Sequence, residues 1–249
     1  MNNYEKLEGM VAATFTPLDE NGDVNLSVID KYADWIASTP IKGVFVCGTT
    51  GEFSSLTIDE RKLILEKWLV SARKRFKVIA HVGSNCQRSA MELARHAAQV
   101  GADAIASIAP SFFKPGTVDE LVDFFAPICH SAAGLPFYYY NMPSITGVNL
   151  PVDKFLVEGK KKIPNLVGTK FTHNNLMEMG VCIELEQHRF EVLHGYDEIL
   201  ISGLAMGAVA GVGSTYNYIP NVYQAIFDSM KMNAVSYTHL RAHETPEHL

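Results

Sequence analysis

"GMVAATFTP", residues 9–17, reads as an apolar strand that runs out into threonines, a phenylalanine and a proline. The first strand of an open doubly wound sheet usually hands over to a glycine-rich turn that cradles a phosphate. This one ends in "TFTP" and has no such turn. Working outward, seven further short apolar runs follow: "GVFVCG" from Gly43, "KVIAHVG" from Lys77, "ADAIASIAP" from Ala102, "LPFYYYN" from Leu135, "LVGTKFT" from Leu166, "FEVLHG" from Phe190 and "AVAGVGS" from Ala208. Helical patterns lie between them, over Thr57–Arg75, Gln87–Val100, Thr117–Ala132 and Asn174–Glu186. The "TIDE" at residue 57 is a capping box, with Thr57 as the cap and Glu60 three residues on. In the helix that follows, Leu63, Trp68 and Leu69 supply the apolar positions. Strand and helix alternating eight times predicts an α/β fold, a parallel (β/α)8 TIM barrel, rather than an open sheet.

Composition narrows the function. The chain has 249 residues, 47% of them hydrophobic, and a formal charge of -6 from 21 basic and 27 acidic side chains. An acidic chain without a basic cluster is a poor nucleic-acid partner. No run of 18 apolar residues is present, so no membrane span is expected, and "MNNYEKLEGM" lacks the apolar stretch of a signal peptide. Cys47, Cys86, Cys129 and Cys182 have no metal-type spacing and read as reduced thiols of a cytoplasmic protein.

The last fifteen residues, "VSYTHLRAHETPEHL", break the pattern. They show no periodic apolar face and hold three of the nine histidines, His239, His243 and His248. A metal-binding tail is one reading; a non-native tail, similar to translated sequencing-adapter read-through, is the reading adopted. The barrel is therefore expected over residues 1–234, its last helix incomplete from about Asn221, with residues 235–249 as the tail.

In a parallel barrel, functional groups gather at the C-terminal ends of the strands. "CGTTGEF" follows the second strand and offers Thr49, Thr50 and backbone N–H groups able to hold a small carboxylate. The fifth strand ends in "FYYYNMP": Tyr138 and Tyr140 share one face, Phe137 and Tyr139 the other, and a phenol at the mouth can move protons. "HGYDE" places Asp197 and Glu198 at the rim, and "GVGSTYN" supplies Ser214 as a hydroxyl donor to a neutral polyol. In "NLVGTKFTH", residues 165–173, alternation puts Val167, Thr169 and Phe171 on one face and Gly168, Lys170 and Thr172 on the other. A lysine there either snorkels to water or turns inward. Turned inward, its desolvated amine would lose its proton and add to a carbonyl as a Schiff base, one strand along from Tyr140.

Together, "GTTGE" at Gly48, "YNMP" at Tyr140, "GTK" at Gly168, "GYDE" at Gly195 and "GSTYN" at Gly213 resemble the N-acetylneuraminate lyase and dihydrodipicolinate synthase family of pyruvate-dependent class I aldolases. The resemblance spans roughly Glu8 to Tyr223. It implies a (β/α)8 barrel followed by C-terminal helices that are largely missing here, assembled as a homotetramer. It also implies Lys170 as the Schiff-base lysine and Tyr140 as the proton-transferring phenol. Thr49 and Thr50 would hold the pyruvate carboxylate. Thr172, Gly195, Asp197, Glu198, Gly213 and Ser214 would meet the rest of the substrate. Neither metal nor added cofactor is implied.

Within the family, the synthases carry an arginine a few residues after the tyrosine motif, where this chain has Ile145; "SFFKP" at Ser111 is similar to the animal-type lyases. The resemblance thus favours reversible cleavage of N-acetylneuraminate, a sialic acid, to N-acetylmannosamine and pyruvate. The alternatives are an aldolase for another 2-keto-3-deoxy sugar acid, a synthase-like enzyme, or a non-catalytic sugar-acid-binding barrel.

Overall fold

A computed structural model describes residues 4–232. The eight apolar runs become eight parallel strands: β1 (Gly9–Ala13), β2 (Gly43–Val46), β3 (Lys77–His81), β4 (Ala104–Ile108), β5 (Phe137–Asn141), β6 (Leu166–Phe171), β7 (Glu191–His194) and β8 (Ala210–Gly213). They pair in sequence order, and β1 pairs with β8 from Gly9↔Ala210 to Ala12↔Gly213, which closes the ring. Closure removes both sheet edges. The helices are α1 (Ile29–Ala37), α2 (Ile58–Ala72), α3 (Gln87–Val100), α4 (Val118–Ser131), the single turn α5 (Pro143–Thr146), α6 (Val152–Lys162), α7 (Leu176–Glu184), α8 (Leu200–Ala205) and α9 (Pro220–Lys231).

Period-two alternation divides the core into two layers. Val11, Ala13, Phe45, Ile79, Ala106, Tyr138, Tyr140 and Val212 fill the inside of the barrel. Met10, Ala12, Val44, Val46, Phe137 and Tyr139 face outward into the helical jacket, with Ile29, Ile64, Trp68, Phe125 and Phe155 among their neighbours. The two tyrosine faces fall as the sequence indicates.

Two local readings need correction. On α2 the capping box forms: the Glu60 amide donates to Thr57 Oγ1 at 3.2 Å, and the Thr57 amide to Glu60 Oε2 at 2.7 Å. Leu63, however, is half exposed, and the inner face consists of Arg61, Ile64, Leu65, Trp68, Ser71 and Ala72. The inner face includes a buried arginine, where the apolar count had assumed only apolar side chains. In β6 the register against β5 shifts, so that Phe137 pairs with Leu166 but Tyr138 with Gly168. Val167 is the extra residue of this bulge. It packs against the interior cluster, apart from Phe171, which lies in the outer layer.

α9 begins at Pro220, whose fixed φ and missing N–H suit a first helical position. It buries Tyr223, Ile226 and Phe227. The tail and its three histidines lie outside the described residues, as does the boundary at residue 234. Among the described residues, no helix is long and apolar enough to cross a membrane, and no group of three or more His, Cys, Asp or Glu side chains could hold a metal.

Candidate active site

Lys170 answers the question its sequence raises by turning inward. It is 4% exposed, and its Cα is the register partner of Tyr140 across the β5–β6 ladder. Its Nζ sits 4.0 Å from the centroid of the Tyr140 ring and 4.3 Å from that of Phe45. It makes no hydrogen bond or ion pair among the described residues. Among the described residues two π faces support the amine, and a side chain so placed is free to bond to something else.

The Tyr140 hydroxyl contacts the turn after β2 and the loop after β5. It lies 3.1 Å from Thr49 Oγ1 and donates to Met142 Sδ at 3.1 Å. The phenol therefore links the lysine, beneath its ring, to the "GTTGE" turn, beyond its oxygen. That turn is held in an uncommon conformation: Cys47 and Glu52, which flank it, both take left-handed backbone angles, with φ of 54° and 55°. Such non-glycine residues concentrate where function requires strain. The amides of Thr49, Thr50 and Gly51 donate to nothing among the described residues. Free amides on one turn form a concavity suited to an anion such as a carboxylate.

The opposite wall comes from β6, β7 and β8. Thr172 is 3% exposed and its Oγ1 has no partner among the described residues. Gly195 faces it so closely that a Cβ there would lie 1.9 Å from that oxygen. Gly213 meets Asp197 in the same way, at 2.6 Å. Both glycines are thus required by close approach. Asp197 is 4% exposed and accepts bonds on Oδ2 from the amide of Thr215, at 2.7 Å, and from its hydroxyl. Glu198 is exposed at the rim; its carboxyl is pushed up, first by partial desolvation and then by the charge of Asp197. The Ser214 hydroxyl has no partner among the described residues, while its carbonyl accepts from Asn217. Among the described residues this wall presents carboxylates and hydroxyls and no cation, the composition that suits a neutral polyol.

Lys170, Tyr140, Thr49, Thr50, Thr172, Gly195, Asp197, Glu198, Gly213 and Ser214 lie at the C-terminal ends of strands or in the loops leaving them. Four participants escaped that reading: Phe45, Met142, Thr215 and His81. Phe45 was legible as an inward position of β2. Thr215 lay inside "GSTYN", where only the fold shows that its amide and hydroxyl both meet Asp197.

His81 is 3% exposed at the end of β3. Its Nδ1–H donates to the Cys47 carbonyl at 2.8 Å, and its Nε2 accepts from the Ile108 amide at 3.3 Å. These two bonds fix one neutral tautomer. Burial, reinforced by the Arg61 charge, holds the ring well below the usual histidine range.

Known proteins point the same way. The family model for the Dihydrodipicolinate synthetase family matches residues 6–245. The chain is 45% identical over 218 residues to the N-acetylneuraminate lyase of Homo sapiens, a match covering 86% of this chain and 68% of that one. Among solved structures, the native N-acetylneuraminate lyase (sialic acid aldolase) of Aliivibrio salmonicida superposes with a TM-score of 0.93 at 38% identity, over 97% of this chain and 79% of that one. A Ruminococcus gnavus sialic acid aldolase, described as a catalytic lysine mutant, superposes with a TM-score of 0.91 at 28% identity, over 98% and 78% of the two chains. With its five motifs at one barrel mouth and a family match over nearly its full length, the chain belongs to the dihydrodipicolinate synthetase family.

Proposed function

We propose that this chain is a carbon–carbon lyase that cleaves N-acetylneuraminate reversibly to N-acetylmannosamine and pyruvate through a Schiff base on Lys170. One observation carries the reading: a buried lysine with no ionic partner, lying under the ring of a mouth tyrosine, in a chain close in sequence to N-acetylneuraminate lyases.

The chemistry follows from the positions. The amine of Lys170 adds to the substrate's ketone carbon and expels water, giving an imine. Once protonated, the imine withdraws electrons, so that the bond one carbon further along the chain can break toward it. That cleavage needs a base to take the proton from the hydroxyl on the leaving carbon, which becomes the aldehyde of the sugar product, and the Tyr140 phenol is the proton-transferring group beside the lysine. The remaining enamine takes a proton, and water releases pyruvate and the free lysine.

Thr49 and Thr50, with the amides of their turn, hold the carboxylate beside the imine carbon. Thr172, Asp197, Glu198 and Ser214 meet the sugar hydroxyls across the groove shaped by Gly195 and Gly213. Thr215 orients Asp197. Ile145, 60% exposed, offers no second cation for a dicarboxylic product. The lysine itself is the electrophilic group, so neither metal nor added cofactor enters the scheme.

The same reading places the enzyme in the cytoplasm, in keeping with four free cysteines. It further makes the working form a homotetramer. Phe112 and Phe113, 77% and 86% exposed on the loop after β4, are apolar surface suited to burial between subunits.

The test is borohydride reduction in the presence of pyruvate, followed by intact-mass measurement. A single stable adduct on the 249-residue chain, absent in Lys170→Ala, supports the reading. A folded chain that forms no adduct overturns it in favour of a binding barrel. Pyruvate release from a panel of keto-deoxy sugar acids then separates sialic acid cleavage from its nearest alternative.

A further inference from the structure

We propose that His81 is a positioning residue that holds the pyruvate end of the site in shape, acting through the Cys47 carbonyl and the rings of Phe45 and Tyr140. The inference rests on the aldolase reading above.

Three observations converge on this imidazole. Its Nδ1–H is bonded to the carbonyl of Cys47, the left-handed residue from which the "GTTGE" turn departs. A residue in that conformation persists only when its surroundings over-determine it. The bond from His81 ties its carbonyl to the barrel wall, beside a side-chain contact between Cys47 and Arg61. The ring also lies against three aromatics: Phe53 with centroids 4.5 Å apart, Tyr140 edge-on at 5.8 Å, and Phe45 at 5.9 Å. Two of these, Phe45 and Tyr140, are the rings on which the Lys170 amine rests.

The imidazole is itself fixed from behind. Arg61, a buried cation with no ion pair among the described residues, donates to the carbonyls of His81 at 2.7 Å and Gly83 at 2.9 Å. An α2 side chain thereby pins the end of β3 from outside the barrel. It also accounts for an arginine on the inner face of a helix.

Both ring nitrogens of His81 are occupied, so it has no proton to exchange with substrate. Its role is to set where Thr49 and Thr50 stand relative to Lys170. Losing it should loosen the grip on the carboxylate and leave the chemistry of the bound imine largely intact.

The experiment measures pyruvate half-saturation in borohydride trapping, and KM and kcat for sialic acid cleavage, in His81→Phe and His81→Asn. Phenylalanine keeps a ring but removes both hydrogen bonds. Asparagine places an amide N–H near the Nδ1 position and can still reach the Cys47 carbonyl. Half-saturation and KM should rise roughly tenfold in His81→Phe, the size of one lost buried hydrogen bond, with kcat changed less. His81→Asn should recover most of that loss.

If His81→Phe loses its cooperative thermal transition, His81→Gln takes its place. Its amide reaches the Nε2 position, so it should show the same rise. Wild-type half-saturation in a folded His81→Phe or His81→Gln, or equal impairment in His81→Asn, overturns the inference while leaving the aldolase reading standing. Absence of any adduct in the wild type removes both.

Discussion

The two ends of the barrel treat buried polar groups in opposite ways. At the N-terminal floor, Glu191 is 4% exposed, yet both its oxygens are occupied: Oε1 by the Leu7 amide at 2.8 Å and Oε2 by the Tyr138 hydroxyl at 3.0 Å. Tyr138 is in turn bonded to Tyr4 at 2.5 Å. The floor is a closed network. At the C-terminal mouth, Lys170 and the Thr172 hydroxyl are as deeply buried and have no such partners. Buried polar atoms are nearly always bonded in folded proteins. Inside the barrel, the groups left open lie toward the mouth and the satisfied network lies at the floor, the contrast the proposed function would require.

The widest separation of the two ends is expected from their central residues. Lys170→Ala should abolish pyruvate trapping and cleavage while the protein still unfolds cooperatively; retained turnover in a kinetic assay would erase the distinction. Tyr140→Phe comes next. It keeps the ring beneath which the amine lies but removes the phenol, so kcat should fall by about 10²–10⁴, the usual contribution of a positioned acid–base group. Pyruvate trapping should survive it.

Glu191 sharpens the comparison through pH. Burial lifts its carboxyl from the ordinary 4.5 to about 7. Between those values the folded chain holds a proton that the unfolded chain has released. Unfolding therefore releases protons, and stability falls as pH rises through that window. The contribution is complete below about 4.5, lost above about 7, and of the order of a few kcal/mol. Thermal unfolding between pH 5 and 8 should show this decline in the wild type. In Glu191→Gln it should be flatter, with KM unchanged; equal slopes would remove Glu191 as the source.

The smallest effect has the most telling sign. Thr172→Val deletes a buried hydroxyl that has no partner, so it should stabilise the fold by about 1 kcal/mol while weakening sialic acid cleavage roughly tenfold in kcat/KM. Denaturant midpoints and kinetics on one preparation check both halves. Destabilisation would mean that the hydroxyl is already satisfied within the protein.

Much of the barrel was legible because its signals are local. Eight apolar runs, the Thr57 capping box and the split of Tyr138 and Tyr140 from Phe137 and Tyr139 depend only on near neighbours in the chain. Val167 was misplaced because a register shift against β5 is a property of two strands, invisible in the period of either. Leu63 misled because an apolar count assumes that the inner face of α2 is all apolar, whereas Arg61 occupies part of it to reach carbonyls on β3. The burial of Lys170 could not be decided from its own stretch. An inward lysine and a snorkelling one have the same sequence, and only Tyr140 and Phe45 arriving from other strands distinguish them. His81 and Thr215 were missed for the same reason: their partners are distant residues of other motifs.

The seam between β1 and β8 has a consequence for biosynthesis. It joins the first and last strands, and the Asn217 side chain bolts it by donating to the Ala13 carbonyl at 2.7 Å. A nascent chain leaving the ribosome carries Lys170 well before the final strand is available. Until residues 210–217 emerge, that amine stands in an open trough, unable to exclude water. Closure of the seam thus completes the enclosure in which Lys170 is buried, so the chain must be made as far as β8 before that side chain is shielded from water.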